Sequence, residues 1–185
     1  MFKAGWSILA VLLLVMLASC SSKDNSEPAA TLPEVQIIAD GTELQVQSRT
    51  VAEYDESDSE LFQSMVGAAG TADIPYIKLG SAVEVQLHGI TPESYRMTEY
   101  ILNPDGSLKY APSPDQPPQQ PMAMSFQEGA GAFILNPSPM ASLSSQSADY
   151  EPGATIRGFR FVTNNAGKMK EYAFVLRSDA TEKDK

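Results

Sequence analysis

His88 is the only histidine in the chain, so a serine–histidine–aspartate triad would have to use it. It ends a segment, residues 81–88, in which polar and apolar residues alternate as in a half-buried strand. The alternation puts His88 on the polar face beside Glu84 and Gln86. A histidine-based zinc site would need a second histidine. We interpret His88 as a surface residue at a strand end, and we predict no catalytic residue, no metal site and no cofactor.

An acidic run at residues 53–60 is a candidate calcium site. Three of its residues have the spacing of the first EF-hand ligands: Asp55, Ser57 and Ser59. Position six of such a loop is Glu60 where glycine is needed, and position twelve is Val66 instead of glutamate. The run is better interpreted as the solvated start of a helix, favoured by the helix dipole. Asp55 and Asp58 stay candidates for contact with a partner.

Carboxylates acting in pairs would suit glycoside hydrolysis. The chain has 23 acidic residues, so pairs are expected by chance, and their separation is set in three dimensions. Tyrosines in the strands could stack on sugars, although half-buried tyrosines are common in sheets. The tyrosines in question are Tyr76, Tyr95, Tyr100 and Tyr110. An enzyme acting on glycans therefore stays an alternative.

Residues 111–121 (APSPDQPPQQP) are rich in proline, which excludes a central strand and indicates a stiff, polyproline-like loop. Two PxxP spacings occur in it, as in polyproline ligands, although they arise easily in proline-rich linkers. Because long loops often carry function, we take three of its residues as candidate partner-binding residues. They are Pro114, Pro117 and Pro118.

Short strands separated by turn signals position these residues. Asp40-Gly41 predicts a hairpin, and residues 103–106 (NPDG) and 164–167 (NNAG) predict further turns. The strands are predicted at residues 35–38, 43–47, 81–88, 95–102, 108–110, 131–135, 155–163 and 170–177. This spacing indicates an antiparallel β-sandwich. In the last hairpin five residues should form an aromatic-rich core floor: Phe159, Phe161, Tyr172, Phe174 and Leu176.

One short helix interrupts the strands, predicted at residues 58–66. Ser57 and Glu60 have the spacing of a capping box, and Gly67 follows as a stop signal. Mainly β structure with one short helix is therefore the predicted fold class.

The first 19 residues are typical of an export signal. Lys3 supplies a positive charge, and the apolar run at residues 8–18 is shorter than the ~20 residues of a membrane span. Residues 17–20 (LASC) resemble the lipobox of bacterial lipoproteins. That resemblance implies cleavage before Cys20, diacylation of its thiol and acylation of the new amino group. An ordinary signal peptide with an accidental cysteine is the alternative, but a lone free thiol is a poor choice outside the cell.

Residues 20–33 are then the lipidated cysteine and a polar tether with a typical reach of roughly 20 Å. The net charge of −10 becomes one unit more negative when Lys3 is removed. Such a surface repels nucleic acid, so the expected partners are the lipid bilayer, through acylated Cys20, and an envelope protein or a cell-wall polymer.

Four blocks resemble uncharacterised surface lipoproteins of Gram-positive bacteria. They are residues 37–47 (IIADGTELQVQ), 92–110 (PESYRMTEYILNPDGSLKY), 157–163 (RGFRFVT) and 170–180 (KEYAFVLRSDA). The resemblance implies a lipid-anchored, immunoglobulin-like β-sandwich on the outer face of the cytoplasmic membrane. It brings no established activity and no functional residue. Relatives carry cysteine and tryptophan after the first hairpin, and residues 48–60 contain neither.

The expected organisation is a signal peptide at residues 1–19, the tether, a sandwich domain at residues 34–178 and a frayed tail at residues 179–185. Its expected role is that of a non-catalytic binding or interaction module at the cell envelope. The alternatives are the small glycan enzyme and an accessory subunit of a membrane complex.

Overall fold

A computed structural model describes residues 34–112 and 120–182, which lie within one compact unit. Its strands form two antiparallel sheets packed face to face. The strands are β1 (Val35–Ala39), β2 (Thr42–Leu44), β3 (Val46–Val51), β4 (Ala82–Leu87), β5 (Ser94–Leu102), β6 (Phe126–Gln127), β7 (Ala130–Ile134), β8 (Thr155–Asn165) and β9 (Lys168–Ser178).

The five-stranded sheet has the order β2-β1-β4-β7-β6, and the four-stranded sheet has the order β3-β9-β8-β5. Only Gln45 separates β2 from β3, so the chain changes sheets at that residue. It changes sheets again before β4, β5, β6 and β8. In the change before β6, the amide of Met122 donates to the carbonyl of Met97 on β5, at 2.8 Å. The two sheets are thus joined along both sides of the sandwich.

Two-residue turns close three hairpins. They are Asp40-Gly41, Glu128-Gly129 and Ala166-Gly167. Both residues of each turn have positive φ, as a type I′ turn requires, and this turn type matches the twist of the flanking strands. The Asp-Gly hairpin predicted from the sequence is confirmed.

The core between the sheets contains the predicted aromatic floor. Phe159 and Phe174 stack with ring centroids 4.8 Å apart, and both side chains are fully buried. Val83 and Val85 face them from β4, while Glu84 points outward, as the alternation predicts. Burying each such apolar side chain contributes about 1.5–3 kcal/mol, so this layer accounts for much of the stability.

The outer face of the four-stranded sheet is also covered, by a helix, α1 (Glu60–Ala69). Its buried residues Phe62, Met65 and Val66 pack on the sheet. The sheet contributes Tyr100, Leu102, Ile156, Ala173 and Val175 to this second cluster. Residues 171–176 of β9 are consequently buried on both faces, which explains their unbroken apolar character apart from Glu171.

The helix begins and ends later than predicted. Ser59 precedes it without a side-chain cap bond, and the carboxylate of Asp58 instead accepts the amide of Glu60 at 2.8 Å. The capping-box prediction is therefore wrong. Gly67 lies inside the helix, which ends at Gly70, where φ is +72°. A glycine tolerates that conformation without the penalty of a Cβ atom.

Three other segments differ from expectation. Leu108 makes only an isolated bridge to Leu102, so residues 108–110 are not a strand. Two short 3₁₀ helices, Ala141–Leu143 and Ser147–Tyr150, were not predicted. Ala180 is buried, so the packed chain extends past the predicted start of the tail at residue 179.

The mainly β, antiparallel sandwich is confirmed, with α1 as the α-helix of the described residues. The immunoglobulin-like topology stays a prediction.

Candidate functional site

One end of the sandwich holds an open cleft of about 520 Å³. This end, here called the Glu34 end, brings together Glu34, the loop at residues 88–93 and the turns at residues 128–129 and 166–167. The cleft, called the end cleft below, lies between the two sheets. Its main lining side chains are Leu87, Ile90, Pro92, Tyr95, Phe126 and Glu128. Its volume is within the range of small-ligand sites.

Aromatic rings form the floor of the end cleft. Tyr95 and Phe126 meet edge to face, with ring centroids 4.9 Å apart, and Phe161 lies behind both. The Tyr95 hydroxyl donates to the carbonyl of Met124 at 2.6 Å, which fixes the ring while leaving 38% of the residue exposed. The cleft therefore presents a rigid apolar surface to solvent.

The rim of the end cleft carries one carboxylate, that of Glu128. Its turn lies close to β4, because the amide of Leu87 donates to the carbonyl of Gly129 at 2.7 Å. A Cβ atom on Gly129 would approach the carbonyl oxygen of Leu87 to 3.1 Å, so glycine fits this contact. Glu128 has φ of +52°, a conformation more typical of asparagine or glycine. Its side chain is exposed and makes no ion pair with the described residues.

Two other charged residues at the Glu34 end, Glu34 and Lys170, are paired with each other. Glu34 binds Lys170, and the Tyr172 hydroxyl donates to the same carboxylate at 2.8 Å. The hydrogen bonds of Lys170 and Tyr172 lower the pKa of Glu34 below its ordinary value. His88 is half-buried, with Nε2 3.4 Å from the side-chain oxygen of Gln36. This placement fits a histidine at a strand end.

The acidic loop, residues 53–59, lies over the outer face of the four-stranded sheet. The Asp55 carboxylate accepts both the amide and the hydroxyl of Ser57, at 2.8 and 2.7 Å, and these bonds lower its pKa. The Asp58 carboxylate pairs with Arg49 and also accepts the amide of Glu60. Although partial burial opposes ionisation, these contacts keep the pKa of Asp58 below its ordinary value. Both aspartates thus have partners within the fold.

One buried and one partly buried arginine–glutamate contact, both made by Glu171, anchor this loop. Arg160 on β8 forms an ion pair with Glu171 on β9, with Nε and Oε1 2.6 Å apart, and both side chains are almost fully buried. The guanidinium also donates to the backbone carbonyls of Asp55, at 2.5 Å, and Asp58. The other carboxylate oxygen of Glu171 accepts from Arg49 at 2.8 Å. A buried charge requires such partners, so the loop is part of the folded core.

Aromatic residues complete the same layer. The guanidinium of Arg160 lies 5.0 Å from the ring centroid of Tyr100, whose hydroxyl is 2.8 Å from that of Tyr54. Burial raises the pKa of Tyr100 well above its ordinary value. Arg96 covers the Tyr54 ring and pairs with Glu56 at 2.5 Å. Every one of these groups is engaged, so the layer offers no open site.

A smaller cavity of about 60 Å³ lies between the end of β5 and the start of β8. Its charged residues, Lys109 and Asp149, form an ion pair, and the Lys109 hydrogen bond lowers the pKa of Asp149. Among the described residues no group of three or more histidine, cysteine, aspartate or glutamate side chains is placed to hold a metal ion. Within the same residues no helix has the length and hydropathy needed to cross a membrane.

The remaining candidates from the sequence fall elsewhere. Cys20, Pro114, Pro117 and Pro118 lie outside the described residues. Of the four tyrosines, Tyr100 is buried, Tyr110 is half-buried, and Tyr76 and Tyr95 are exposed. Tyr95 alone among the end-cleft residues was singled out from the sequence.

Sequence reasoning missed the end cleft because its walls come from two separate segments, residues 87–95 and 126–129. One signal was available: a glutamate directly before glycine in a strand–turn–strand pattern, where asparagine or aspartate is usual.

No family model, curated protein or solved structure matches this chain. The interpretation of its function therefore rests on the residues and geometry described above.

Proposed function

We propose that the chain is an envelope lipoprotein, anchored through acylated Cys20, that acts as a non-catalytic binding module with the end cleft as its binding site. The observation that carries the binding role is the open cleft with a fixed apolar floor and few polar groups. The free energy of the system falls when an apolar ligand group covers such a surface and removes it from water. The signal-like residues 1–19 and the lipobox-like residues 17–20 support the anchor.

The anchor and the cleft are compatible in one chain. Glu34 is the first described residue, and its carbonyl accepts the amide of His88 at 2.8 Å, next to the cleft loop. A tether leading back to Cys20 would therefore join the domain at the Glu34 end. Several buried methylenes per acyl chain, at ~0.8 kcal/mol each, make multiple acylation a firm anchor.

The end cleft gives less support to the alternative of a glycan enzyme. Hydrolysis by two carboxylates needs both in one cleft, about 5–10 Å apart. The end cleft contains the single carboxylate of Glu128, and the smaller cavity contains that of Asp149, which is ion-paired. We therefore propose binding and not hydrolysis.

The anchor is tested by expressing the full chain and its Cys20→Ser variant in a bacterial host. We expect the wild-type chain in the membrane fraction, with an intact mass that shows loss of the first 19 residues and addition of acyl chains. The variant should lack the acyl mass. An uncleaved chain or an unmodified Cys20 in the wild type would refute the anchor.

The binding role is tested separately on the full chain in phosphatidylcholine nanodiscs, labelled with ¹³C in the isoleucine methyl groups. The probe is a neutral hexapeptide of alternating leucine and serine. We expect it to shift the Ile90 methyl signal and to leave that of Ile134, at the opposite end of the sandwich, unchanged. Equal shifts at both methyls, or none, would remove the end cleft as a binding site.

A further inference from the structure

We propose that the end cleft binds an extended peptide segment in which an apolar side chain adjoins a lysine or arginine. This inference rests on the proposed binding function and specifies its ligand. The partner would be a protein segment carrying those two features.

The apolar requirement follows from the walls. Leu87, Ile90 and Phe126 supply aliphatic and aromatic surface, and Pro92 lies beside them. Apolar burial gives about 25 cal/mol per Å², so an inserted apolar side chain would contribute in proportion to the area that the cleft removes from water. Sugars would need many polar partners, and the side chains lining the cleft offer few.

The basic requirement follows from Glu128. It is the carboxylate of the cleft rim, it is exposed, and within residues 34–112 and 120–182 it has no ion-pair partner. Lys168 is the first residue of β9, directly after the neighbouring hairpin turn, and is not part of the cleft lining. Tyr95 and Phe126 line the same cleft as Glu128, and aromatic rings of this kind can attract a cation.

The net charge of the whole chain also favours a basic ligand. A net charge of −10 attracts basic ligands over long range and repels anionic ones, such as lipid phosphates. This argues against the headgroup of an anionic lipid as the occupant. Charge complementarity of this kind mainly increases the association rate and makes it depend on salt.

The peptide character follows from β6. It is the edge strand of the five-stranded sheet, and among the described strands only β7 pairs with it. Its free edge adjoins the cleft through Phe126, so an extended segment can pair with the backbone there while one side chain enters the cleft.

The test uses the full chain in phosphatidylcholine nanodiscs and follows the Ile90 methyl signal. Three hexapeptides are compared, in which leucine alternates with lysine, serine or glutamate. The lysine peptide should bind more tightly than the serine peptide, and the glutamate peptide should bind least. Glu128→Gln should weaken the lysine peptide about fivefold, leave the serine peptide unchanged and reduce the salt dependence. Glu84→Gln, on the exposed face of β4, is the matched control and should change none of these affinities.

The outcomes separate the two levels of the proposal. If all three peptides shift Ile90 with equal affinity, or if Glu128→Gln has no effect on the lysine peptide, the basic requirement is wrong and the binding function stands. If none of them shifts Ile90 while the thermal unfolding curve is normal, the binding function itself is wrong. Tighter binding of anionic lipid vesicles than of the lysine peptide would overturn the peptide assignment.

Discussion

The acidic loop and the end cleft are both places where carboxylates reach the surface, but the fold uses them differently. In the loop, Asp58 and its neighbours are bonded to Arg49 and to backbone amides, and the loop carbonyls bind the buried Arg160. In the end cleft, Glu128 stands on a tight turn without an ion-pair partner among the described residues, beside exposed apolar surface.

The difference shows that acidic composition alone does not identify a binding region. Carboxylates that already have partners would have to give them up before binding anything else, at a cost in stability. The single carboxylate of Glu128, beside a preformed apolar cleft, has no ion pair among the described residues to give up. The loop is therefore expected to control folding, and the cleft to control binding.

The largest effect should come from Glu171→Gln, which removes the charge that neutralises the buried Arg160. Breaking a buried pair from one side typically costs about 3–5 kcal/mol, because the remaining charge stays desolvated. Chemical denaturation should show this loss in the free energy of unfolding. Glu84→Gln, exposed and without an ion pair among the described residues, should stay within about 0.5 kcal/mol of wild type. Equal effects of the two substitutions would mean that the loop is not anchored through this pair.

The next largest effect concerns the packing of α1 on the turn after β5. Gly106 has φ of +82°, and a Cβ atom there would lie 2.6 Å from the backbone Cα of Gln63. Gly106→Ala should therefore lower the free energy of unfolding by about 2 kcal/mol. Gly67→Ala is the control, because that helical position has open space and a normal φ, and it should stabilise the chain by about 0.5–1 kcal/mol. Similar stability changes in both variants, measured by thermal unfolding, would contradict the close approach of helix and turn.

Glu171→Gln and Gly106→Ala test two contacts that were not predicted from the sequence: the buried Arg160–Glu171 pair and the close approach of α1 to the turn after β5. Two of the three hairpin turns, at residues 40–41 and 166–167, and the faces of β8 and β9 followed from local signals, namely the turn residues, alternation and aromatic residues. The position of α1 on the second face did not, because the pattern of a short helix does not show which sheet face it covers. The unbroken run at residues 172–176 (YAFVL) was a usable sign that both faces are buried. Arg160 could not be recognised as buried, since its partners Glu171 and the loop carbonyls come from distant segments.

Acid should weaken the attachment of the acidic loop. The pKa of Asp58 lies below its ordinary value of 3.8, so this group stabilises the fold above that pH, and the stabilisation is lost as pH falls through the lower, folded pKa. Asp58→Asn should cost up to about 1 kcal/mol at pH 7, as for a partly exposed pair, and less at pH 2. Denaturation series at both pH values measure this. A cost that stays constant with pH would show that the carboxylate charge contributes nothing.

The smallest effect tests why the end cleft has a glutamate at all. Glu128 occupies a positive-φ turn position where asparagine is favoured, and Ala166 occupies the corresponding position of the β8–β9 turn. Glu128→Asn and Ala166→Asn should each raise the free energy of unfolding by about 0.5 kcal/mol. Only Glu128→Asn should weaken the lysine–leucine peptide, since Ala166 is not part of the cleft lining. A stabilised Glu128→Asn variant with unimpaired binding would mean that the residue is a tolerated strain and not a ligand contact. Weakened binding in that variant alone would show that the turn keeps its carboxylate at the expense of stability, which is the behaviour expected of a binding residue.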